Sequence, residues 1–539
     1  MTKLHCHFLL LLFLPQLIAA QNFGGNPASS KWMQLNSSSA KVIFPKGLDS
    51  QAQRLSSVVA MLDTITLNSI GNKRRKWNIA LLNQNTEANA FVRLAPVVSE
   101  LYMVPQQNNF ATGSLRWDDN LIIHEERHMQ QFSNFNHGFT KIFSLLLGQE
   151  GQLLANGLTI PNYFFEGDAV WQETLVSRQG RGRMPSFFNG MKALWLAGKK
   201  YNWMQLRNGS LRKFIPGHYE LGYPVVLYGY EKYGSGFWKN VTTDAVGFKG
   251  LFYPYNKAVN KYSGKAYSQF TNDALQYFKE QTLAIAAKDN FGFITPAQQN
   301  NVTDYLYPQF VSDDTIIVTK QSYRELNSFY LLVNGKEQKL RVKDYVLDDY
   351  FSYRNGRVAY AAYKAHPVRA NKNFSVIKLF NIYTGEQVQL TDTSNYFSPD
   401  INKEGTEVLA VKVNTDGSNF LHRLDAATGE LIQQVQNPNN YFFTQTKYIN
   451  SHTAVSAVRN PAGEMALAKI DLQTGNIENL TGFSYSVLGY PFVKGGFVYF
   501  SMADGKIADR VFAVSLSDKK LYRITGNSNG VYHPAVNSK

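Results

Sequence analysis

Cysteine is nearly absent from this sequence: Cys6 stands alone among 539 residues. It lies inside an N-terminal apolar stretch, so the chain beyond it can form no disulfide and use no cysteine nucleophile. Any metal must then be held by His, Asp or Glu. Long apolar runs are missing as well. Beyond the first twenty positions no uninterrupted apolar window of about 18 residues occurs, which excludes a polytopic membrane protein. Acidic residues are in deficit, 40 against 55 Lys and Arg, for a net charge of +15. The excess is dispersed, densest at Lys73-Arg74-Arg75-Lys76. Such charge suits anionic surfaces or acidic polymers, though solvated loops on a basic protein are the favoured reading of its clusters, and no nucleic-acid module accompanies it.

What is present suffices for packed cores. Hydrophobic residues make up 44% and aromatics 14%, which excludes a disordered chain. At roughly 100–200 residues per domain, the length favours two to four domains. Residues 1–20 read as a secretory signal peptide, with Lys3, an apolar core from Phe8 to Leu14, and the small-residue end Ile18-Ala19-Ala20. Pro15 and Gln16 leave that core too short for an anchor helix, so no transmembrane span is expected in the mature chain.

Periodicity then divides the sequence. Residues 21–295 mix strand and helix patterns. Lys41–Phe44 reads as a strand, and Asp49 stands where it can cap a helix with the apolar face Ala52, Leu55, Val59, Leu62 and Ile65. Strand-like runs follow at 77–82, 90–94 and 100–104, then helical patterns at 121–132, 140–147, 166–176, 187–196 and 219–233. A small sheet followed by helices is an α+β arrangement. The 140–147 helix is apolar on several sides and too short to span a bilayer. It is expected in the core, ahead of a place over the cleft or on a membrane surface.

Residues 296–539 lose the helical period and repeat instead. Pro308, Pro399, Pro491 and Pro534 are spaced by two, two and one units of about 45 residues. The turns at Thr384-Gly385, Thr428-Gly429 and Thr474-Gly475 keep the same register, as do Leu390-Thr391, Leu480-Thr481 and Ile524-Thr525. Several strands per unit at this period read as a β-propeller, with a β-sandwich as the alternative. Five units are distinguishable, and Val531–Val536 looks like the first strand of another that could close the ring on the first blade. The segment Tyr396-Phe397-Ser398-Pro399-Asp400, followed by Gly405-Thr406-Glu407, resembles the WD40-like repeat of TolB-type propellers. That resemblance implies a propeller of five to six blades over residues 296–539, a surface for a protein or an envelope polymer.

The chemistry lies in Leu121-Ile122-Ile123-His124-Glu125-Glu126-Arg127-His128. Asp118 and Asp119 precede it as capping residues of a helix. Positions i and i+4 share a helical face, so His124 and His128 can address one metal ion. Glu125 lies about 100° round the axis, where it can reach a metal-bound water without being a ligand. This is the H-E-x-x-H pattern of two zinc ligands and a general base. A catalytic zinc site needs a third ligand. Thirty-eight residues past His128 comes Glu166, in Phe164-Phe165-Glu166-Gly167-Asp168-Ala169, an acidic residue read as opening a helix after an apolar run.

Here the sequence resembles the gluzincin zinc peptidases, and within them the peptidase MA-like group, over about residues 38–245. The resemblance implies that Glu166 is the third ligand and that residues 21–295 form a zincin-like metallopeptidase domain holding one Zn2+ per chain. Gly167 and Ala169 suit close packing of this helix on the first. Asp168 departs from the pattern, in which a hydrophobic residue is commoner; it or Glu173 could support a ligand histidine or be solvated. Among His218, Tyr219 and Tyr223, Tyr219 is the preferred oxyanion donor.

The fold expected is thus multidomain, an α+β metallopeptidase domain followed by an all-β propeller. The function expected is exported zinc-dependent hydrolysis of peptide bonds in a protein or peptide substrate, in the periplasm, at the surface of a Gram-negative bacterium, or secreted. The alternatives are a catalytically silent zinc-binding scaffold and a metal-dependent amidase acting on a cell-wall crosslink. No nucleic-acid partner is expected.

Overall fold

Along Trp77–Leu82, Trp77, Ile79 and Leu81 are buried and Asn78 is exposed, the two-residue period of a strand with one covered face. This strand, β3, is central in a five-stranded sheet with β1 (Trp32–Asn36), β2 (Ala40–Pro45), β4 (Ala90–Leu94) and β5 (Val97–Tyr102). The order is β1-β2-β3-β5-β4, with β3 parallel to both neighbours and β4 antiparallel on the edge. The computed structural model describes residues 25–250, 252–283, 292–296, 301–505, 508–526 and 530–537. Residues 1–20, read from the sequence as a signal peptide and including Cys6, lie outside them.

Helix α1 (Asp49–Ile65) packs its face Ala52, Leu55, Val59 and Leu62 onto the sheet, while Ile65, expected on that face, is exposed. Asp49 is the first helical residue and makes no capping bond; Leu48 occupies the cap position. A helical turn α2 (Asn109–Thr112) leads to α3 (Trp117–Asn134), which shares the same core through Trp117, Leu121, Ile122 and Met129. Asp118 and Asp119 fall inside the first turn of α3 rather than before it. Each pairs with an arginine there, Asp118 with Arg116 and Asp119 with Arg54.

The remaining helices are α4 (Gly138–Thr159), α5 (Asn162–Val176), α6 (Asn189–Leu196), α7 (Trp203–Asn208), α8 (His218–Tyr233), α9 (Phe237–Val246), α10 (Pro254–Ser263) and α11 (Tyr267–Leu283). Glu166 does not open α5; the apolar Tyr163-Phe164-Phe165 is itself the first turn. Gly167 faces α8 rather than α3. A Cβ there would lie 2.3 Å from the Gly222 carbonyl carbon, so the two glycines set the distance between α5 and α8. The 140–147 segment is not core: Leu145, Leu146 and Leu147 are 76, 75 and 59% exposed.

From Thr303 the chain folds into five antiparallel four-stranded sheets, each in sequence order, over 303–342, 351–389, 396–435, 442–479 and 488–523. Five separate sheets exclude a two-sheet sandwich and make a five-bladed propeller, the first strand of each blade innermost. The sequence repeats have physical causes. Tyr307, Ser398, Tyr490 and His533, each before one of the spaced prolines, adopt positive φ of 46 to 56°. In the three blade strands the register of pairing breaks at that point. The Thr-Gly turns are built on an Asx turn, in which the Asn381, Asp425 or Asp471 side chain accepts two backbone N–H bonds and the glycine takes positive φ. The Leu/Ile-Thr marks recur because Thr391, Thr481 and Thr525 each accept an N–H from the neighbouring strand through Oγ1.

A sixth blade does not form among the described residues. His533 bends as an inner-strand residue does, but 531–536 pairs with no strand. The segment wedges between the first and last blades instead. The His533 ring lies 4.2 Å from Tyr307 and 4.3 Å from Tyr490, and its Nδ1 accepts the Tyr307 N–H.

Candidate metal centre

Helix α3 presents His124 and His128 one turn apart, and α5 brings Glu166 against them. His124 Nε2 lies 3.3 Å from His128 Nε2 and 3.3 Å from Glu166 Oε2, and His128 Nε2 lies 3.5 Å from the same oxygen. Tetrahedral zinc with bonds of about 2.0–2.1 Å has ligand-to-ligand edges of about 3.3–3.4 Å. The three atoms therefore match one face of such a tetrahedron. These residues are the one group of three or more potential ligands found together among the described residues.

Each imidazole is held by a partner on its other nitrogen. His124 Nδ1 lies 2.7 Å from Glu173 Oε1, and His128 Nδ1 lies 2.9 Å from Gln131 Oε1. When the Nδ1 protons are donated to these oxygens and Nε2 is unprotonated, as a bound metal would require, both Nε2 lone pairs face Glu166. Arg181 pairs with the same Glu173 carboxylate, its Nε 3.0 Å from Oε2 and its Nη2 2.5 Å from Oε1, and that Nη2 also lies 2.8 Å from His124 Nδ1. Gln131 donates in turn to Asp168 Oδ2 at 2.8 Å, and Asp168 takes a bidentate pair from Arg127 at 2.7 and 2.9 Å. Glu173, Asp168 and Arg127 are fully buried, so neither acid is a solvated helix residue. Asp168 supplies the counter-charge to the buried Arg127 inside the H-E-x-x-H segment. Glu173 touches His124 directly, whereas Asp168 reaches His128 only through Gln131.

The electrostatics follow from this crowding. Burial and Arg181 push His124 down, but the Glu166 and Glu173 carboxylates outweigh them and raise it to about 9. Burial lifts Glu166, yet His128 and His124 hold it far below the usual carboxylate range. Burial also lifts Glu173, and Arg181 with His124 brings it down to about 2. Glu125 behaves differently. It is buried, its pKa is raised mainly by that burial, and its Oε2 has no hydrogen-bond partner.

His124, Glu125, His128, Glu166 and Tyr219 all line one cavity of about 400 Å³, whose wall includes Ala90, Phe91 and Val92 of edge strand β4. The Tyr219 ring centre is 6.0 Å from that of His124, with the Arg181 guanidinium over its face at 4.7 Å. His218 is exposed, and Tyr223 is buried against Gly182 and Phe187; neither lines the cavity. Sequence reasoning weighed Glu173 only as one of two options and missed Gln131 and Arg181 as supports. The signal for Glu173 was its place two helical turns after Glu166, on nearly the same face.

A second cavity, of about 480 Å³, lies on the propeller axis at the ends of the inner strands. Arg354, Asp400, Lys447 and Lys494 line it, with Lys447 paired to Asp400 at 3.0 Å. The N-terminal domain meets the opposite ends of those strands. Phe110 stacks on Tyr490 at 5.4 Å, and Asn109 donates to Thr444 at 2.9 Å.

No protein-family model matches the chain, and no curated protein matches it. Among solved structures it is similar to TolB from Acinetobacter baumannii, at 14% identity and TM-score 0.34, over 44% of this chain and 58% of that one. It is also similar to the β-propeller domain of the Trilobed protease from Pyrococcus furiosus, at 12% identity and TM-score 0.28, over 42% of this chain and 85% of that one. A third is Pyrococcus horikoshii acylaminoacyl peptidase, at 12% identity and TM-score 0.26, over 42% and 46% of the two chains. The five-bladed assignment rests on the strand order itself.

Proposed function

We propose that the chain is an exported zinc-dependent metallopeptidase with His124, His128 and Glu166 as metal ligands, one zinc per chain, and Glu125 as general base. The observation that carries this is the triangle of ligand atoms beside a buried carboxylate whose oxygen has no partner. When bound, zinc supplies Lewis acidity, which polarises a carbonyl and acidifies water. Glu125 takes the proton of the attacking water at its free oxygen and passes it to the leaving amine. Burial, with Glu166 nearby, raises Tyr219 to about 12, so its phenol stays protonated and can donate to the developing oxyanion. The outer side of β4 is unpaired along the cavity, so an extended peptide can add there as a further strand. A purely structural metal site needs ligands and no base, so the free Glu125 oxygen favours turnover over a scaffold.

The propeller is then the means of recruiting a protein or envelope polymer, with its axial cavity pointing away from the metal domain. Export by residues 1–20 puts this work in the periplasm, at the cell surface or outside the cell. The test is a pair of variants. Glu125→Gln is expected to keep about one zinc by elemental analysis and to lose cleavage of a mixed peptide library. Glu166→Ala is expected to lose the metal. A Glu125→Gln protein as active as the wild type refutes the mechanism, and unchanged zinc in Glu166→Ala refutes the ligand set.

A further inference from the structure

Helix α4 is amphipathic the wrong way round for a helix in water. In its second arm the buried positions are Gly151, Gln152, Ala155, Asn156 and Thr159, whereas Leu153, Leu154 and Leu158 are 44, 53 and 63% exposed. A helix packed on a soluble domain does the opposite, turning leucine inward and amides outward. The first arm adds Ile142, Leu145, Leu146 and Leu147, 54 to 76% exposed. Gly148, at φ 65° and ψ −147°, folds the arms back so that Gly151 sits against the Phe143 carbonyl. The fold brings a second apolar projection alongside. Phe248 packs on Phe139 at 4.5 Å, and in the same loop Phe252 and Tyr253 are 69 and 77% exposed. A contiguous apolar surface of this kind marks an interaction site.

Charge identifies what covers it. Lys141 is exposed on the first arm, the Lys73 ammonium donates to the Asn136 carbonyl at the foot of α4, and Lys257 flanks the Phe252 loop beside Lys249 and Lys261, which share one acid, Asp244, at 2.8 and 2.7 Å. Glu150 is the one acidic side chain on α4. No helix among the described residues is long and apolar enough to cross a membrane. We propose that α4 and the Phe252–Tyr253 loop seat the protein on the surface of a bilayer containing anionic phospholipid, leucines and aromatics in the acyl boundary and lysines at the phosphates. Leu153, Asn156 and Gly157 also line the metal-site cavity, so seating α4 holds that cavity's mouth at the membrane. The inference does not depend on the cavity's chemistry.

Sedimentation of the full chain with vesicles tests it, using phosphatidylcholine with and without phosphatidylglycerol. The expected result is binding to the phosphatidylglycerol vesicles and binding at least about tenfold weaker to phosphatidylcholine alone. The triple variant Leu145→Ser, Leu146→Ser, Leu147→Ser changes only exposed side chains, so it should keep the wild-type melting temperature and bind at least about a hundredfold more weakly. Wild-type protein that leaves both vesicle types unbound overturns the proposal, as does a triple variant that binds equally well. Equal binding to both compositions overturns the anionic-lipid assignment. A solution dimer that the triple variant dissociates, with vesicles unbound, gives the surface to a second copy of this chain instead.

Discussion

Replacing Asp168 with Ala should unfold the N-terminal domain well before the propeller. The Arg127 guanidinium has no solvent exposure and gives Asp168 two of its hydrogen bonds, at 2.7 and 2.9 Å. Its other partners are neutral: Ser69, Tyr230, Gln130 and the Thr66 carbonyl. Removing Asp168 leaves a buried cation with dipoles and no counter-charge, which costs about 3–5 kcal/mol. For a domain of this size each kcal/mol is worth about 2–4 °C, so its transition should drop by about 10 °C. Calorimetry on the metal-free protein reads this without the stabilisation that bound zinc adds. The propeller transition should stay in place. The double variant Arg127→Met, Asp168→Leu removes both charges and should recover most of the loss, because replacing a buried pair by apolar groups is often neutral. A loss below about 1 kcal/mol for Asp168→Ala would refute the argument that Arg127 depends on it.

Glu173→Ala removes the acceptor behind His124 and should weaken zinc binding about 10–100-fold, read by competition with a chromogenic chelator. Gly167→Ala puts a methyl 2.3 Å from the Gly222 backbone and should cost about 1–3 kcal/mol by denaturant unfolding, with weaker zinc binding as Glu166 shifts. His533 is a half-buried base wedged between Tyr307 and Tyr490, and its desolvation there lowers its pKa to about 3, against an ordinary value of about 6.5. The stability it lends is complete above about pH 6.5 and falls as the pH drops towards 3, because the unfolded chain takes up the proton first. At pH 5 the loss is about 2 kcal/mol. Thermal melts at pH 7.5 and 5 should show it, and His533→Phe should flatten the difference.

The propeller was legible because each repeat mark is a local bonding device. An Asx turn needs Asn or Asp, a glycine at positive φ and a threonine at a fixed offset, so three blades wrote the same letters at 384–385, 428–429 and 474–475. That His124 and His128 share a face was legible for a similar reason, since i, i+4 on one helix is geometry that spacing alone fixes, whereas Glu166 was reached through the family resemblance and not through spacing. Legibility fails where partners are distant in sequence. The Tyr532-His533-Pro534 segment carries the letters and even the bend of an inner strand, yet whether it becomes one depends on strands to pair with, and none is present among the described residues. For α4 composition pointed to the core, because an apolar helix normally goes there. Which face turns inward is decided by neighbours, and those neighbours take Gly151, Ala155 and Asn156. Arg127 and Asp168 likewise make sense only as a pair, 41 residues apart.

The two cavities constrain how the halves can cooperate. Every residue lining the metal-site cavity comes from 90–219, so the propeller adds no side chain to the chemistry. The inner strands meet Phe110 and Asn109 at one end and open on the axial cavity at Tyr448 and Lys494 at the other. A partner held in the axial cavity is therefore separated from Glu125 by the length of the inner strands, and cannot be the segment cut unless it reaches back round the propeller. On the function proposed, capture and cleavage would then act on different parts of one target, or on different molecules. Mutations at Arg354 or Lys494 should accordingly leave hydrolysis of short peptides unchanged and slow only that of a large target. Equal slowing of both would mean that the propeller governs the metal site itself.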